Sequence, residues 1–222
     1  MKILVKKKNI SIIQATKATL FRWIEVLVLK FLQILSYIYL LKGFNLSLIL
    51  YPLFAWLNVQ SFHEASHFGL SSNQTFNYLW AYTNPEFSSP LMWYHQHNIG
   101  HHIYTNHHEY DPDISIWPGF IRLHDKKKYF KNHYYQKFLI LFYWMIVTPS
   151  IQIFKPLVHL YKKKYHKIPL MRMSNNRKII HILGRLLYLY FIHYLPFSYQ
   201  NSIFKGLCYA ILPQTIFYIL FL

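Results

Sequence analysis

Apolar residues fall in long runs rather than in the narrow stripes of surface helices. Phe21–Leu41 is apolar apart from Arg22, Glu25 and Lys30, and Gly43–Phe62 follows with twenty residues and no charge. At about 1.5 Å rise per residue, a helix of that length covers the roughly 30 Å hydrocarbon core of a bilayer. The two runs predict two membrane spans joined by a tight turn at Lys42-Gly43. Arg22 and Glu25, three apart, can pair on one helical face, and Lys30 can snorkel towards headgroups. The second span returns His63 to the side where the N-terminal segment starts. Ser71–Asn98 is polar and aromatic, with turn signals at Asn84-Pro85 and Ser88-Ser89-Pro90, and is expected outside the membrane or at its surface. Phe138–Phe154 is a shorter run containing Pro149, set between the basic stretches Lys126–Lys137 and Lys155–Arg185, and is expected to dip into the interface without crossing. Leu186–Phe204 and Lys205–Leu222 read as a last hairpin with Ser198–Asn201 as its far loop. The pattern predicts an all-α polytopic membrane protein of about four transmembrane helices plus an interfacial helix. Residues 1–20 form a cytoplasmic tail and 21–222 one membrane domain.

Composition agrees with this class. Of 222 residues, 54% are hydrophobic and 14% charged, a balance suited to lipid rather than to a soluble surface. A net charge of +17 could signal nucleic acid. The cations, however, sit in short runs between apolar segments (Lys6–Lys8, Lys126–Lys128, Lys162–Lys164), as in cytoplasmic loops facing anionic lipid, so no nucleic-acid partner is expected. The lone Cys208 excludes an internal disulfide and a cysteine-built metal site. No small-residue cleavage site follows the basic start, so the tail is expected to be retained.

Chemistry concentrates between Ser61 and Asp113. Eight of the fourteen histidines and five of the seven acids lie there, and no Lys or Arg occurs between Lys42 and Arg122. Neutral imidazoles and carboxylates without nearby fixed cations suit a bound metal. His63-Glu64-Ala65-Ser66-His67 places two imidazoles about one helical turn apart. It is also the H-E-x-x-H pattern of zinc proteases, with Glu64 as general base. His97-Asn98-Ile99-Gly100-His101-His102 repeats the device, with His97 and His101 four apart and His102 beside them. Five imidazoles exceed what one tetrahedral zinc takes and favour two metals, for which iron suits the all-nitrogen set. His95, His107 and His108 are expected to be neighbours of the site or solvated. Asp111 and Asp113, flanking Pro112, are expected to hold a loop or orient a ligand imidazole.

The stretch HEASHFGLSSNQTFN, then WYHQHNIGHHIYTN and DPD, resembles the membrane fatty acid desaturases, most closely the acyl-lipid, front-end and sphingolipid group. The likeness is specific over Asn58–Trp117. It implies a di-iron centre on the cytoplasmic face of a membrane helix bundle in the endoplasmic reticulum, with His63, His67, His97, His101 and His102 as iron ligands. Glu64, Asn98, Asn106, Asp111 and Asp113 would support those ligands. Such a centre uses O2 and electrons from a separate cytochrome b5-type donor to introduce a cis double bond into a fatty-acyl chain. The residues agree with that chemistry: a methylene C–H bond offers no acidic proton, so a metal-bound oxidant is needed.

The family's third box, Gln or His then x-x-His-His, is absent from this sequence. The resemblance therefore predicts a chain incomplete at its C-terminus, inactive alone because five imidazoles cannot fill two irons. Three alternatives remain at this stage. The first is an intramembrane zinc protease built on His63, Glu64 and His67 with Asp111 or Asp113, which leaves His97–His102 unused. The second is a non-catalytic relative that binds metal or lipid or pairs with an intact enzyme. The third is a related di-iron hydroxylase.

Overall fold

In the computed structural model, residues 11–115 and 119–220 are described, with side chains throughout except at 12, 13, 143–151 and 153. Helix α1, Leu20–Leu41, starts where the Thr19 hydroxyl accepts from the Arg22 amide at 3.2 Å. It stops at Gly43, whose φ of 79° lets the amides of Gly43 and Phe44 turn back onto Leu40 and Tyr39. Its outward side chains, among them Phe21, Leu27, Phe31 and Ile34, stay exposed, as expected where lipid takes the place of water.

The run expected as one span, Gly43–Phe62, is two helices, α2 (Ser47–Leu57) and α3 (Val59–Ser66), interrupted at Asn58. The reason is local. The Asn58 side chain folds back onto the Phe54 carbonyl at 2.9 Å, and the Asn58 carbonyl accepts from Asn84 Nδ2 at 2.6 Å. Among the described residues, three helices are long and apolar enough to cross a membrane: Leu20–Leu41, Asn175–Ser198 and Ile203–Leu220.

Ser71–Asn98 departs from its expected place at the surface. After α4 (Gln74–Ala81), residues Asn84 and Glu86–Met92 are buried between the long helices. The Glu86 carboxylate accepts from Gln33 Nε2 of α1 at 2.9 Å and from the Tyr51 hydroxyl of α2. Lys30 also points inward instead of snorkelling, donating to Gln33 Oε1 at 2.8 Å, to the Thr83 carbonyl at 3.0 Å and to Asn84 Oδ1. A non-helical segment survives inside an apolar bundle only when its polar groups are partnered, and Asn84, Glu86 and Lys30 supply those partners.

The short run around Pro149 is the middle of a 27-residue helix, α5 (Gln136–Lys162), that continues through basic residues on both sides. A two-residue hairpin, Lys164–Tyr165 with Ile168–Pro169, follows. Helix α6 (Asn175–Tyr188) continues through a wide turn to Ser198, and α7 (Ile203–Leu220) completes the expected hairpin. The Glu86 carbonyl accepts from Gln214 Nε2 of α7 at 2.7 Å, so the buried segment is held from three helices. Gln200 donates to the Leu41 carbonyl at 3.3 Å and the Tyr209 hydroxyl to the Gly43 carbonyl at 2.7 Å, placing the two helical turns at one end. Arg22 and Glu64 meet at the opposite end, where His63 emerges.

Candidate metal centre

Helix α3 ends at His67 through a turn in which Phe68 takes φ 57° while the amides of Phe68 and Gly69 bond to Ala65 and Glu64. This closes the helix one residue after Ser66 and leaves His63 and His67 on one face, their rings 4.6 Å apart. The second set is built differently. Pro90 opens a short helical turn, Pro90–Trp93, with its fixed φ suited to a helix start. The chain then widens into a π-helix over Tyr94–His101, closed by the His102 amide on the His97 carbonyl. In this wider turn residues five apart superpose, a geometry that recurs at functional sites. His102 therefore comes nearest to His97, with their Nε2 atoms 3.1 Å apart, while the His101 ring stands nearly parallel to His97 at 5.8 Å.

The two pairs face each other. His63 Nε2 and His97 Nε2 are 2.8 Å apart, and the rings of His67 and His102 are 4.9 Å apart. One nitrogen from each of His63, His67, His97 and His102 lies within 4.8 Å of all the others. Trp93 stacks on His97 at 4.3 Å and donates from Nε1 to Ser66 Oγ at 3.2 Å, bracing both sets at once. Burial, helped by the neighbouring imidazoles, pulls His97 down to about 3, and burial likewise lowers His63 and His67. Uncharged imidazoles with converging nitrogens are the form a metal ion requires, and an all-nitrogen set suits a transition metal. The residues fit a metal.

His101 is turned onto a second cluster. Its Nδ1 lies 3.2 Å from both oxygens of Asp111 and 3.4 Å from Asp113. Asp111 is fully buried and also accepts from the amides of Asn106, at 2.8 Å, and Asp113, at 2.9 Å. Asn106 adopts φ 61° to make its bond. Burial raises the Asp113 carboxyl despite its bond from Gln96 Nε2 at 2.9 Å. Gly100 permits this approach: a Cβ there would meet Pro112 Cγ at 2.5 Å and the His95 carbonyl at 3.0 Å.

The remaining sequence candidates separate clearly. Asn98 Nδ2 donates to the Ser66 carbonyl at 2.9 Å and lies 3.3 Å from His67 Nδ1, so it touches the first pair. Glu64 is engaged by Arg22 Nε, 3.1 Å from both oxygens, while Arg22 also meets Glu25 at 2.8 Å as expected. Glu64 is thus paired with a cation, and no observation favours the protease alternative. His95 is buried, bonded through Nδ1 to the Leu91 carbonyl at 2.9 Å and through Nε2 to the Met171 amide at 3.1 Å. His107 caps its own loop through the Glu109 and Tyr110 amides. Trp93, Gln96 and Arg22 were not legible as site neighbours; only Arg22, a cation inside an apolar run, carried a signal.

Comparison with known proteins agrees with this arrangement. The sequence model of the fatty acid desaturase family matches residues 39–222. An acyl-lipid (8-3)-desaturase of Mortierella alpina is 33% identical over 102 residues, covering 45% of this chain and 23% of that protein. An sn-1 linoleoyl-lipid 6-desaturase of Arthrospira platensis is 30% identical over 105 residues, 47% of this chain and 28% of that protein. Delta(5) fatty acid desaturase A of Dictyostelium discoideum is 26% identical over 175 residues, 70% of this chain and 34% of that protein. The matched stretches thus span between about a quarter and a third of these relatives' lengths. No solved structure matches. The extent of the family match and the histidine-lined end of the bundle lead to one assignment: the chain belongs to the fatty acid desaturase family.

Proposed function

We propose that this chain carries the histidine centre of an acyl-lipid desaturase that uses iron and O2 to place a cis double bond in a fatty-acyl chain. The observation that supports this reading is the convergence of His63, His67, His97 and His102 at one end of an apolar bundle. Iron bound there would supply the oxidant that an unactivated methylene pair requires. The chain's own residues would then have distinct tasks. His63, His67, His97 and His102 hold one metal, and His101 serves a second, with Asp111 orienting its ring through Nδ1. Asn98 fixes the His67 ring through its other nitrogen. Trp93, with Phe62 and Phe87 packed against it, walls the His97 side with aromatic surface and keeps water from it.

Two irons take more ligands than five imidazoles provide, so the second metal draws on donors beyond these five. The substrate is a fatty-acyl lipid that partitions into the bilayer, and the electrons come from a separate cytochrome b5-type donor. The histidine end faces the cytoplasm, where the basic stretches around Lys126 and Lys162 meet anionic lipid, and the membrane is that of the endoplasmic reticulum. The test is to express the chain in a host with a known fatty-acid profile, count iron per purified polypeptide and analyse acyl double bonds. Retained iron that is lost in His97→Ala supports the reading. An iron-free chain, or one retaining zinc under iron-replete growth, refutes it.

A further inference from the structure

The family match begins at residue 39, yet the turn that carries the first histidine pair is gripped by residues outside it. Lys17 Nζ donates to the Phe68 carbonyl and the Ala18 amide to the Gly69 carbonyl at 3.1 Å. Arg22 Nε lies 3.1 Å from both oxygens of Glu64, with the Arg22 side chain only 17% exposed. One turn further along α1, Val26 packs with Ala65 and Leu70 in a buried cluster flanked by Ala18, Trp23 and Trp80. Residues 17–26 thus follow residues 64–70 from both sides of the helix end.

This grip bears on the metal centre because Phe68 holds a left-handed backbone conformation, which is unfavourable for a non-glycine residue and persists only where its surroundings enforce it. Of the gripped residues, Glu64 and Ala65 lie between His63 and His67, and Phe68 and Gly69 follow His67 directly. The π-helix bearing His97 and His102 has an anchor of its own in the His101–Asp111 contact, and Trp93 ties it to α3 through Ser66 Oγ. The relative placement of the two pairs therefore depends on what holds the last turn of α3. Asn98 holds it on one side through the Ser66 carbonyl, and the segment 17–26 holds it on the other.

We infer that residues 17–26 form a clamp on the first histidine box, and that Arg22, acting through Glu64, is a positioning residue for His63 and His67. The inference rests on the metal-centre reading. It predicts that Arg22 and Glu64 act as one unit, since breaking the pair from either side leaves the helix end equally free.

The experiment titrates Fe(II) anaerobically into the full chain in lipid nanodiscs and follows amide hydrogen exchange over residues 64–69. Arg22→Gln and Glu64→Gln are each expected to weaken Fe(II) binding about tenfold or more, the range for residues that orient metal ligands. The double variant is expected to be no weaker than the weaker single one. Arg22→Lys should recover part of the loss and provides a variant that folds, and Glu25→Gln should stay within about twofold of the parent chain. Exchange at 64–69 should rise in Arg22→Gln. Fe(II) binding by Arg22→Gln at the parent affinity, while His97→Ala loses it, overturns the clamp and leaves the metal centre standing. Additive losses in the double variant overturn it as well. If the parent chain and His97→Ala take up Fe(II) alike, the metal-centre reading is what fails. The exchange arm then judges the clamp alone: unchanged exchange at 64–69 overturns it, and faster exchange retains it.

Discussion

Asp111→Asn is the sharpest probe of the second cluster, because it replaces one oxygen by an NH2 group at a site with no exposure. Oδ2 of Asp111 accepts from the Asn106 amide at 2.8 Å and Oδ1 from the Asp113 amide at 2.9 Å, while both oxygens face His101 Nδ1 at 3.2 Å. An asparagine keeps one acceptor oxygen, so in either orientation one backbone N–H meets another donor. A buried donor left unmet costs about 1–3 kcal/mol, and His101 also loses an acceptor bearing charge, worth a similar amount. The expected destabilisation is therefore on the order of 3 kcal/mol. Loss of the ring's orientation should also weaken metal binding about 10- to 100-fold. Denaturant unfolding in detergent and anaerobic Fe(II) titration measure the two effects. Asp113→Asn should do less: Asp113 is partly exposed, stands 3.4 Å from His101 and can still accept from Gln96 through its amide oxygen. An Asp111→Asn chain that unfolds and binds Fe(II) like its parent refutes the reasoning, and so does Asp113→Asn proving the more damaging.

Other substitutions separate the parts of the centre. Gly100→Ala places a methyl 2.5 Å from Pro112 Cγ, so the Asp111–Asp113 loop must move. Overpacking of this kind costs about 1–3 kcal/mol and should loosen His101, visible as a lower unfolding midpoint together with weaker Fe(II) binding. His102→Ala removes a member of the four-imidazole group and should weaken the metal held there, whereas His101→Ala leaves that group whole and should affect only the second metal; a His101→Ala chain that loses both metals together would contradict the division into two groups. His95→Ala strips the Met171 amide of its acceptor and should destabilise the chain by about 1–3 kcal/mol with the metal count unchanged, since His95 lies outside both clusters.

What the sequence revealed follows the range of each physical signal. Long apolar runs reflect the solvent along a whole helix, so α1 and the far turn of the last hairpin were legible to within a few residues, whereas the hairpin's first helix begins at Asn175, well before the expected Leu186, because its first turns are basic. Residue spacing is a weaker guide, because it assumes a helix type. His63 and His67 lie as a four-residue spacing predicts; His97 and His101 also stand ring beside ring at 5.8 Å, but the π-helix brings His102 closer still to His97 and turns His101 Nδ1 onto Asp111. Nothing in Tyr94–His101 announces the wider turn. Polarity was the least reliable signal. Ser71–Asn98 reads as a surface loop, yet Asn84 and Glu86 lie inside the bundle, because polar groups satisfied by Gln33, Tyr51, Lys30 and Gln214 can be buried.

That buried segment also determines how the second histidine set is held. Glu86 is tied to α1, α2 and α7, and only three residues separate it from Pro90, where the helical turn leading to the π-helix begins. Phe87, next in sequence to Glu86, packs on Phe62 of α3 at 5.0 Å and on Trp93 at 4.6 Å, and Trp93 stacks on His97. A chain of packed rings therefore runs from the polar anchor among the long helices to one of the four imidazoles. The anchor is strong because Glu86, Gln33 and Lys30 sit where water cannot replace a lost partner, so each polar contact is costlier to break than the same contact at the surface. A loop at the membrane surface could shift its histidines by a turn at little cost. A segment anchored inside the bundle cannot, and its ring contacts keep His97 beside His63, with their Nε2 atoms 2.8 Å apart.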